Sequence, residues 1–253
     1  MKDFKSLLPL VLGASDKACE EIIGIYNSGD FQTERKGDNS PLTTADRNAH
    51  NVINQILQAS NLPILSEEGK SIAYAERKDW EYFWMVDPLD GTKEFLKRNG
   101  EFTVNIALIR KSKPILGVVA VPVSGDTYYA IDNEAFLIRG GKEQKLAYRG
   151  RIDLKKESLR VVASRSHMDD TTKTFIGTLQ QPSIVSYGSS LKFMMLAEGK
   201  ADVYPRYAPT MEWDTAAAHA IVNAVGFKVI QQGSSGEIKY NKENLLNPGF
   251  LVC

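Results

Sequence analysis

The sequence predicts a mixed α/β fold, and three observations carry that expectation. From Phe102 to Arg139 the chain alternates apolar runs with hairpin signals: FTVNIALI, KSKP, ILGVVAV, VSGDT, YYAI and AFLI. Before this region, apolar residues recur at helical spacing, and after Arg149–Lys156 short strands and helices take turns. With 253 residues, 43% of them hydrophobic, the chain can bury a substantial core as one large domain or as two lobes.

Taken in order, Leu8, Val11, Leu12, Ser15, Ala18, Ile22 and Ile25 line one side of a helix whose other side carries Asp16, Lys17, Glu20 and Glu21. The apolar run Leu7 to Gly13 behind Lys2 and Lys5 has the outline of a signal peptide, but the charged face continues through it and favours an amphipathic helix. No apolar stretch approaches the ~20 residues that span a bilayer. The polar segment ERKGDNSPLTT, Glu34 to Thr44, is a loop or hairpin punctuated by Gly37, Asn39 and Pro41. Thr43 or Thr44 then caps a helix over roughly Ala45 to Ser60. LPIL (62–65) and YFWMV (82–86) are buried strands, and both run into acidic residues. The central hairpins make antiparallel sheet. The charged stretch Arg149 to Lys156 is the expected seam between an N-terminal lobe, 1–153, and a C-terminal lobe, 154–253. Beyond it LRVVAS, MDDTTKTFIGTL, SIVSYG, SLKFMMLAEG, DVYPR, TAAAHAIVNAVG, FKVIQ and GFLVC are strand, helix, strand, helix, strand, helix, strand and strand.

Charge and composition narrow the function. The 31 Lys plus Arg are balanced by 31 Asp plus Glu, so no global field attracts a nucleic acid polymer. A few cations fixed in a cleft would still suffice for a small anionic substrate. Cys19 and Cys253 form no ligand spacing or disulfide framework and suit a reducing cytoplasm. His50, His167 and His219 come without an HExxH or a Cys/His cluster, so zinc has no site and any metal is held by oxygen.

The segment WMVDPLDGTKEF is the sharpest chemical signal. An apolar strand runs into Asp87-Pro88-Leu89-Asp90, where Pro88 fixes a turn that sets two carboxylates on one side. Facing charges of that kind need a cation, and magnesium takes carboxylates, water, phosphate and a carbonyl such as that of Leu89. Gly91 and Thr92 open a short helix whose free N–H groups suit a phosphate. Taken alone, Asp-Pro-x-Asp is equally a capped type I turn. Two further acids strengthen the metal reading: Glu67 in Ser66-Glu67-Glu68-Gly69 at the end of a strand, and Asp214 in Glu212-Trp213-Asp214 at the start of a helix. Asp214 could instead be a simple N-cap.

WMVDPLDGTKEFLK and WDTAAAHAIVNAVG resemble the two signature segments of the inositol monophosphatase superfamily. SPLTTAD, LSEEG, DPLDGTKEFLKRNGEFTVNIALI, SRSH, GSSLKF, VYPR and LNPGF are similar to its bacterial 3′(2′),5′-bisphosphate nucleotidase branch, across nearly the whole chain. Ala218 and Phe227 depart from the pattern, standing where the second signature has smaller residues. The resemblance implies an α-β-α-β-α layered sandwich of the inositol monophosphatase and fructose-1,6-bisphosphatase type, and lithium-sensitive, magnesium-dependent phosphatase activity. It implies two or three Mg2+ ions, one on Glu67, Asp87 and the Leu89 carbonyl, another on Asp87, Asp90 and Asp214. Asp46 and Thr92 would orient the attacking water, with Glu67 beside them in the catalytic set. Asp46 otherwise reads as a first-turn helix charge.

The substrate then depends on the second half. In Ser164-Arg165-Ser166-His167, Ser166 and Asp169 have capping-box spacing, while the nucleotidase branch places its matching histidine, here His167, near the nucleotide. Gly188-Ser189-Ser190-Leu191-Lys192 combines a turn, hydroxyls and a cation into an anion seat. Arg206 offers a planar fork for a second phosphate, or an exposed salt bridge. The resemblance extends substrate contact to Glu67, Leu89, Asp90, Gly91, Thr92, His167, Ser189, Lys192, Arg206 and Asp214. The expected substrate is adenosine 3′,5′-bisphosphate or its sulfated relative. The alternatives are an inositol or sugar monophosphatase with the same metals, and a noncatalytic nucleotide-binding protein. Oligomeric state stays open between monomer and homodimer, as does peripheral contact with the inner face of the cell membrane.

Overall fold

The first long helix, α1 (Leu8–Ser28), follows a 3-10 turn at Phe4–Leu7 and buries Val11, Ala14, Ser15, Ala18 and Ile22. Val11, Ser15, Ala18 and Ile22 belong to the stripe whose spacing predicts the helix; Ala14 joins them, and Leu8, Leu12 and Ile25 are partly buried. The computed structural model describes residues 4–29, 31, 33–35, 41–163 and 168–253. Two short strands, β1 (Glu34–Arg35) and β2 (Pro41–Leu42), pair antiparallel. Thr43 then caps α2 (Thr44–Leu57) in a reciprocal box: Asp46 N–H donates to Thr43 Oγ1 at 3.4 Å, and Thr43 N–H donates to the Asp46 carboxylate at 2.7 Å. A 3-10 turn, Gln58–Ser60, ends it.

Next come β3 (Ile64–Ser66), α3 (Tyr74–Arg77), β4 (Tyr82–Asp90), α4 (Thr92–Leu96), β5 (Thr103–Arg110), β6 (Lys113–Val121), β7 (Asp126–Ile131), β8 (Glu134–Arg139) and β9 (Lys142–Lys145). The strands from β3 to β9 form a seven-stranded sheet in sequence order, parallel between β3 and β4 and antiparallel elsewhere. Neither α3 nor β9 is anticipated by the sequence pattern. The residues of β9 are all exposed and polar, so no apolar alternation marks the strand; its pairing with β8 defines it, and its charges blunt the open edge.

The second half supplies β10 (Arg160–Ala163), α5 (Asp170–Gly177), β11 (Ser183–Ser186), α6 (Leu191–Ala197), β12 (Tyr204–Arg206), α7 (Ala216–Ala224), β13 (Val229–Gln231) and β14 (Phe250–Val252). All of these match the expected order. The cap of α5 is Asp169, whose side chain accepts from Thr172 N–H at 2.7 Å, so capping falls three residues later than the Ser166 spacing suggests. β10 pairs parallel with β11, β14 lies between β12 and β13, and a Val161–Val203 bridge joins the two small sheets.

Three hydrophobic clusters stack these pieces into layers. α1 and α2 pack on one face of the large sheet through Ile22, Ile53, Trp84, Ile106 and Val118. The opposite face, with Phe83, Met85 and Val119, meets α6 and α7, which in turn cover Val162, Tyr204, Phe250 and Val252 of the small sheets. Outside these, α5 packs through Ile176 on Val161 and Val203. The result is the expected α-β-α-β-α sandwich, with period-two alternation sending Phe250 and Val252 inward and Leu251 toward α5. The central cluster joins residues from both sides of the expected seam, and it accommodates both Ala218 and Phe227 at 1% exposure. Among the described residues no helix is long and apolar enough to cross a membrane.

Candidate metal centre and active site

β3 and β4 run side by side in the same direction, so the acids at their C-terminal ends lie together. Glu67 N–H donates to Val86 O at 3.1 Å and ties its turn to the end of β4. His50 on α2 supports that turn. Asn54 Nδ2 donates to His50 Nε2 at 2.8 Å, which leaves Nδ1–H to donate to Ser66 Oγ at 2.9 Å. Burial lowers the His50 pKa and keeps this neutral tautomer at pH 7.

The Asp87–Asp90 segment differs from the free turn expected after Val86. β4 continues to Asp90 and bulges against β5 between Asp87 and Asp90. Pro88 has no N–H for the ladder, and the bulge absorbs it. Asp87 Oδ1 accepts Leu89 N–H at 3.1 Å. Gly91 follows at φ 96°, a left-handed conformation that only glycine adopts freely, and α4 begins at Thr92. This helix has five residues, so its orientation rests on packing. Phe95 meets the rings of Tyr26, Phe31 and Phe102 at centroid distances of 5.4, 5.0 and 5.3 Å. Thr92 Oγ1 thereby donates to Asp46 Oδ1 at 3.1 Å, and at 3.4 Å lies near Leu89 O. Asp46 uses its other oxygen for the α2 cap, so the capping role and the pairing with Thr92 coexist.

Asp214 arrives from the far side, in the turn before α7. It is not the N-cap: that position is Thr215, and Asp214 Oδ2 accepts Met211 N–H at 2.9 Å. The turn is anchored by Glu212, fully buried, which accepts Asn241 N–H at 2.5 Å and the Lys242 ammonium at 2.5 Å, and by Asn247 Nδ2, which donates to Met211 O at 2.8 Å.

Ligand oxygens of Glu67, Asp87 and Asp214 come within 4.8 Å of one another. Burial, then the charges of Glu67, Asp90 and Asp214, push the Asp87 carboxyl well above the usual range; burial, then Asp90, does the same to Asp214. Crowded carboxylates with no nitrogen or sulfur donor in the group suit a hard divalent cation, and its charge would relieve this repulsion. Asp90 sits beside the cluster with Oδ2 already engaged, accepting from Ser189 Oγ at 2.6 Å, Ser190 Oγ at 3.2 Å and Asn105 Nδ2 at 3.4 Å.

The cluster opens into a cavity of about 330 Å³ lined by Asp90, Gly91, Ser189, Lys192, Arg206, Asp214 and neighbouring residues. Ser189 turns its hydroxyl to Asp90 and Thr103, so the expected anion seat is in part a clamp on the metal side. Lys192 is buried, donates to Ser189 O at 2.6 Å and Tyr187 O at 3.3 Å, and is pushed down to about 8 by that burial. An ammonium has three donors, and these carbonyls occupy two. Arg206 makes no ion pair among the described residues; its Nη2 donates to Pro209 O at 3.2 Å while its buried Nε has no partner. His167 lies outside the described residues. Asn105, Thr103 and Glu101 are part of this architecture, yet motif reading passes over them, while Ser190, expected in the anion seat, turns to Asp90 Oδ2 and Asp214 O. Glu101 Oε2 accepts Gly188 N–H at 2.8 Å, and a Cβ on Gly188 would stand 2.8 Å from Glu101 O.

The profile of the inositol monophosphatase family matches residues 5–249. A Salmonella typhimurium protein named 3′(2′),5′-bisphosphate nucleotidase CysQ is 44% identical over 252 residues, 97% of this chain and 99% of that one. The crystal structure of CysQ from Bacteroides thetaiotaomicron, described as a bacterial member of the inositol monophosphatase family, superposes with a TM-score of 0.87 at 45% identity, covering 98% of this chain and 97% of that one. Staphylococcal inositol monophosphatase-1, at 20% identity and a TM-score of 0.80 over 100% of this chain and 91% of that one, shares the fold. Sequence, fold and the acidic centre agree, and the chain belongs to the inositol monophosphatase family.

Proposed function

We propose that this chain is a magnesium-dependent phosphatase that removes the 3′-phosphate of adenosine 3′,5′-bisphosphate, or of its sulfated relative, to leave the 5′-phosphate. The observation that carries the reading is the convergence of Glu67, Asp87 and Asp214 beside a polar cavity that also holds Lys192 and Arg206. The name of the Salmonella relative supports the substrate class.

Glu67, Asp87, the Leu89 carbonyl, Asp90 and Asp214 are the proposed ligands of two or three Mg2+ ions. When bound, magnesium supplies positive charge against phosphate oxygens and acidifies water. The chain's own residues do the rest. Asp46 accepts the Thr92 proton, so the Thr92 oxygen presents lone pairs that hold and orient a water for in-line attack. Gly91 lines the cavity at φ 96°, and its lack of a Cβ lets the turn into α4 pack against Glu101 O, which a Cβ would meet at 3.1 Å. Lys192 and Arg206, with Ser189 beside them in the cavity, hold the phosphate that is retained, and the family resemblance adds His167 as a nucleotide contact.

Steady-state kinetics on a panel of adenosine 3′,5′-bisphosphate, adenosine 3′-monophosphate, inositol 1-phosphate and a sugar phosphate test the substrate. A larger kcat/KM for inositol 1-phosphate than for the bisphosphate would overturn it. In the same phosphate-release assay lithium is expected to inhibit, and omission of magnesium to stop turnover.

Lys192 permits a sharper test. Replacing it with Met keeps the stem and removes the charge, and one charge-assisted hydrogen bond of ~1.5–3 kcal/mol corresponds to about 10–100-fold in kcat/KM. That loss is expected for the bisphosphate and much less for adenosine 3′-monophosphate, which has the cleaved phosphate but not the retained one. The wild-type preference should also fall as pH rises through about 8, where the free ammonium loses its proton. Equal losses on both substrates, or a flat ratio from pH 7 to 9, would remove Lys192 from substrate recognition.

A further inference from the structure

Strand β5 is buried along almost its whole length, yet two of its buried side chains are polar, Thr103 at 0% and Asn105 at 1% exposure. Two residues apart, they lie on one face of the sheet. The β4–β5 register sets Asn105 opposite Asp87 and Thr103 opposite Asp90. A buried polar group is costly unless paired, and both are fully engaged. Asn105 Nδ2 donates to Ser190 Oγ at 3.1 Å and to Asp90 Oδ2 at 3.4 Å, while its Oδ1 accepts from Thr103 Oγ1 at 3.1 Å. Thr103 also lies 2.6 Å from Ser189 Oγ. Ser190 has one proton and two acceptors within reach, Asp90 Oδ2 at 3.2 Å and Asp214 O at 2.9 Å. Among the described residues each donor to the Asp90 side chain lands on Oδ2, and none on Oδ1.

We propose that Asn105, with Thr103, is a positioning residue of the metal centre: it holds the Ser189 and Ser190 hydroxyls on Oδ2 of Asp90. That contact fixes the rotation of the Asp90 carboxylate and leaves Oδ1 for the cluster. Ser190 shares its one proton between Asp90 Oδ2 and Asp214 O, and so links Asp90, from the large sheet, to the backbone of Asp214 in the turn before α7. Two acids from distant parts of the chain are thereby set at one spacing before any cation arrives. This inference rests on the reading of the acidic cluster as a magnesium site.

Calorimetric titration with Mg2+ is the test, run on wild type, Asn105→Ala, Ser190→Ala and a Ser15→Ala control, which removes a buried hydroxyl that bonds Leu12 O within α1. Circular dichroism melts first show that each variant is folded at the titration temperature. Loss of a group that orients a metal ligand costs about 10–100-fold in affinity. Asn105→Ala and Ser190→Ala are expected to weaken Mg2+ by that factor, with Ser15→Ala within twofold of wild type. In phosphate release, the Mg2+ concentration for half-maximal rate should rise while kcat at saturating Mg2+ recovers most of its value. Should Asn105→Ala fail to fold, Ser190→Ala decides. Wild-type Mg2+ affinity in folded Asn105→Ala or, failing that, Ser190→Ala would overturn the proposal. Absence of Mg2+ binding by the wild type would instead overturn the metal reading itself.

Discussion

Asp87→Asn should reduce phosphate release by about 10³-fold or more and, in the absence of magnesium, should raise the melting temperature. The two effects have one cause. Asp87 is 1% exposed and faces Glu67, Asp90 and Asp214. An amide in its place keeps the shape and can still accept Leu89 N–H, but it removes one charge from a crowded acidic centre. Loss of a cation's stabilisation of the transition state is worth several kcal/mol, and each ~1.36 kcal/mol is a decade in rate. Without metal the same charge is a liability. Because the folded Asp87 carboxyl titrates above its unfolded value, it contributes stability in acid that is lost as pH rises through the folded pKa. Chelated wild-type protein should therefore melt lower at pH 7.5 than at pH 5.5 by more than Asp87→Asn does. Magnesium should raise the wild-type melt and leave the variant nearly unmoved. A variant that keeps ordinary turnover at modest magnesium, or that melts no higher than wild type in chelator, would rule out a central role for Asp87.

Much of this centre is legible before the fold is known, and the reason is physical. Glu67 and Asp87 end apolar runs that can only be buried strands, and Asp214 opens an alanine-rich helix, so each acid is tied to the end of a recognisable element. Their convergence depends on β3 lying parallel to β4 and on α7 packing across the sheet, which local pattern does not encode. Residue resemblance brings Asp46 to Thr92, 46 positions away, and the packing of Phe95 explains why they meet. The roles of Thr103 and Asn105 stay hidden in FTVNIALI because their meaning is a register: only pairing with β4 sets them across from Asp90 and Asp87. A polar pair two apart inside an otherwise apolar strand was the available signal. Lys192 shows the opposite case: GSSLKF marks the cation, which lines the cavity, but not the two backbone carbonyls that already hold it.

Gly117→Ala should destabilise the fold by about 3 kcal/mol and loosen the metal centre from a distance. Gly117 lies within β6, between β5 and β7, and α7 crosses directly over it. A Cβ there would stand 2.2 Å from Ala217 O, 2.9 Å from Ala217 C and 3.0 Å from Ala217 Cα. The obstacle is helix backbone, so no rotamer change relieves it, and either α7 or the sheet must shift. Overpacking costs typically ~1–3 kcal/mol, and an unyielding neighbour puts this site at the upper end. For a chain of this size that is roughly a 6–12 °C fall in melting temperature. The small residues Ala216, Ala217, Ala218 and Ala220, all buried, serve the same close approach from the helix side. Because Asp214 lies just before α7, a helix lifted from the sheet carries that acid away from Glu67 and Asp87. Gly117→Ala should therefore need more magnesium for half-maximal rate even below its melting temperature, whereas Gly125→Ala, at a hairpin with open space around its Cβ, should not. A melt within 2 °C of wild type would show that the sheet yields where the packing says it cannot. A normal magnesium requirement in a destabilised Gly117→Ala would show that Asp214 is held by its own turn, through Glu212 and Asn247, rather than by the seat of α7.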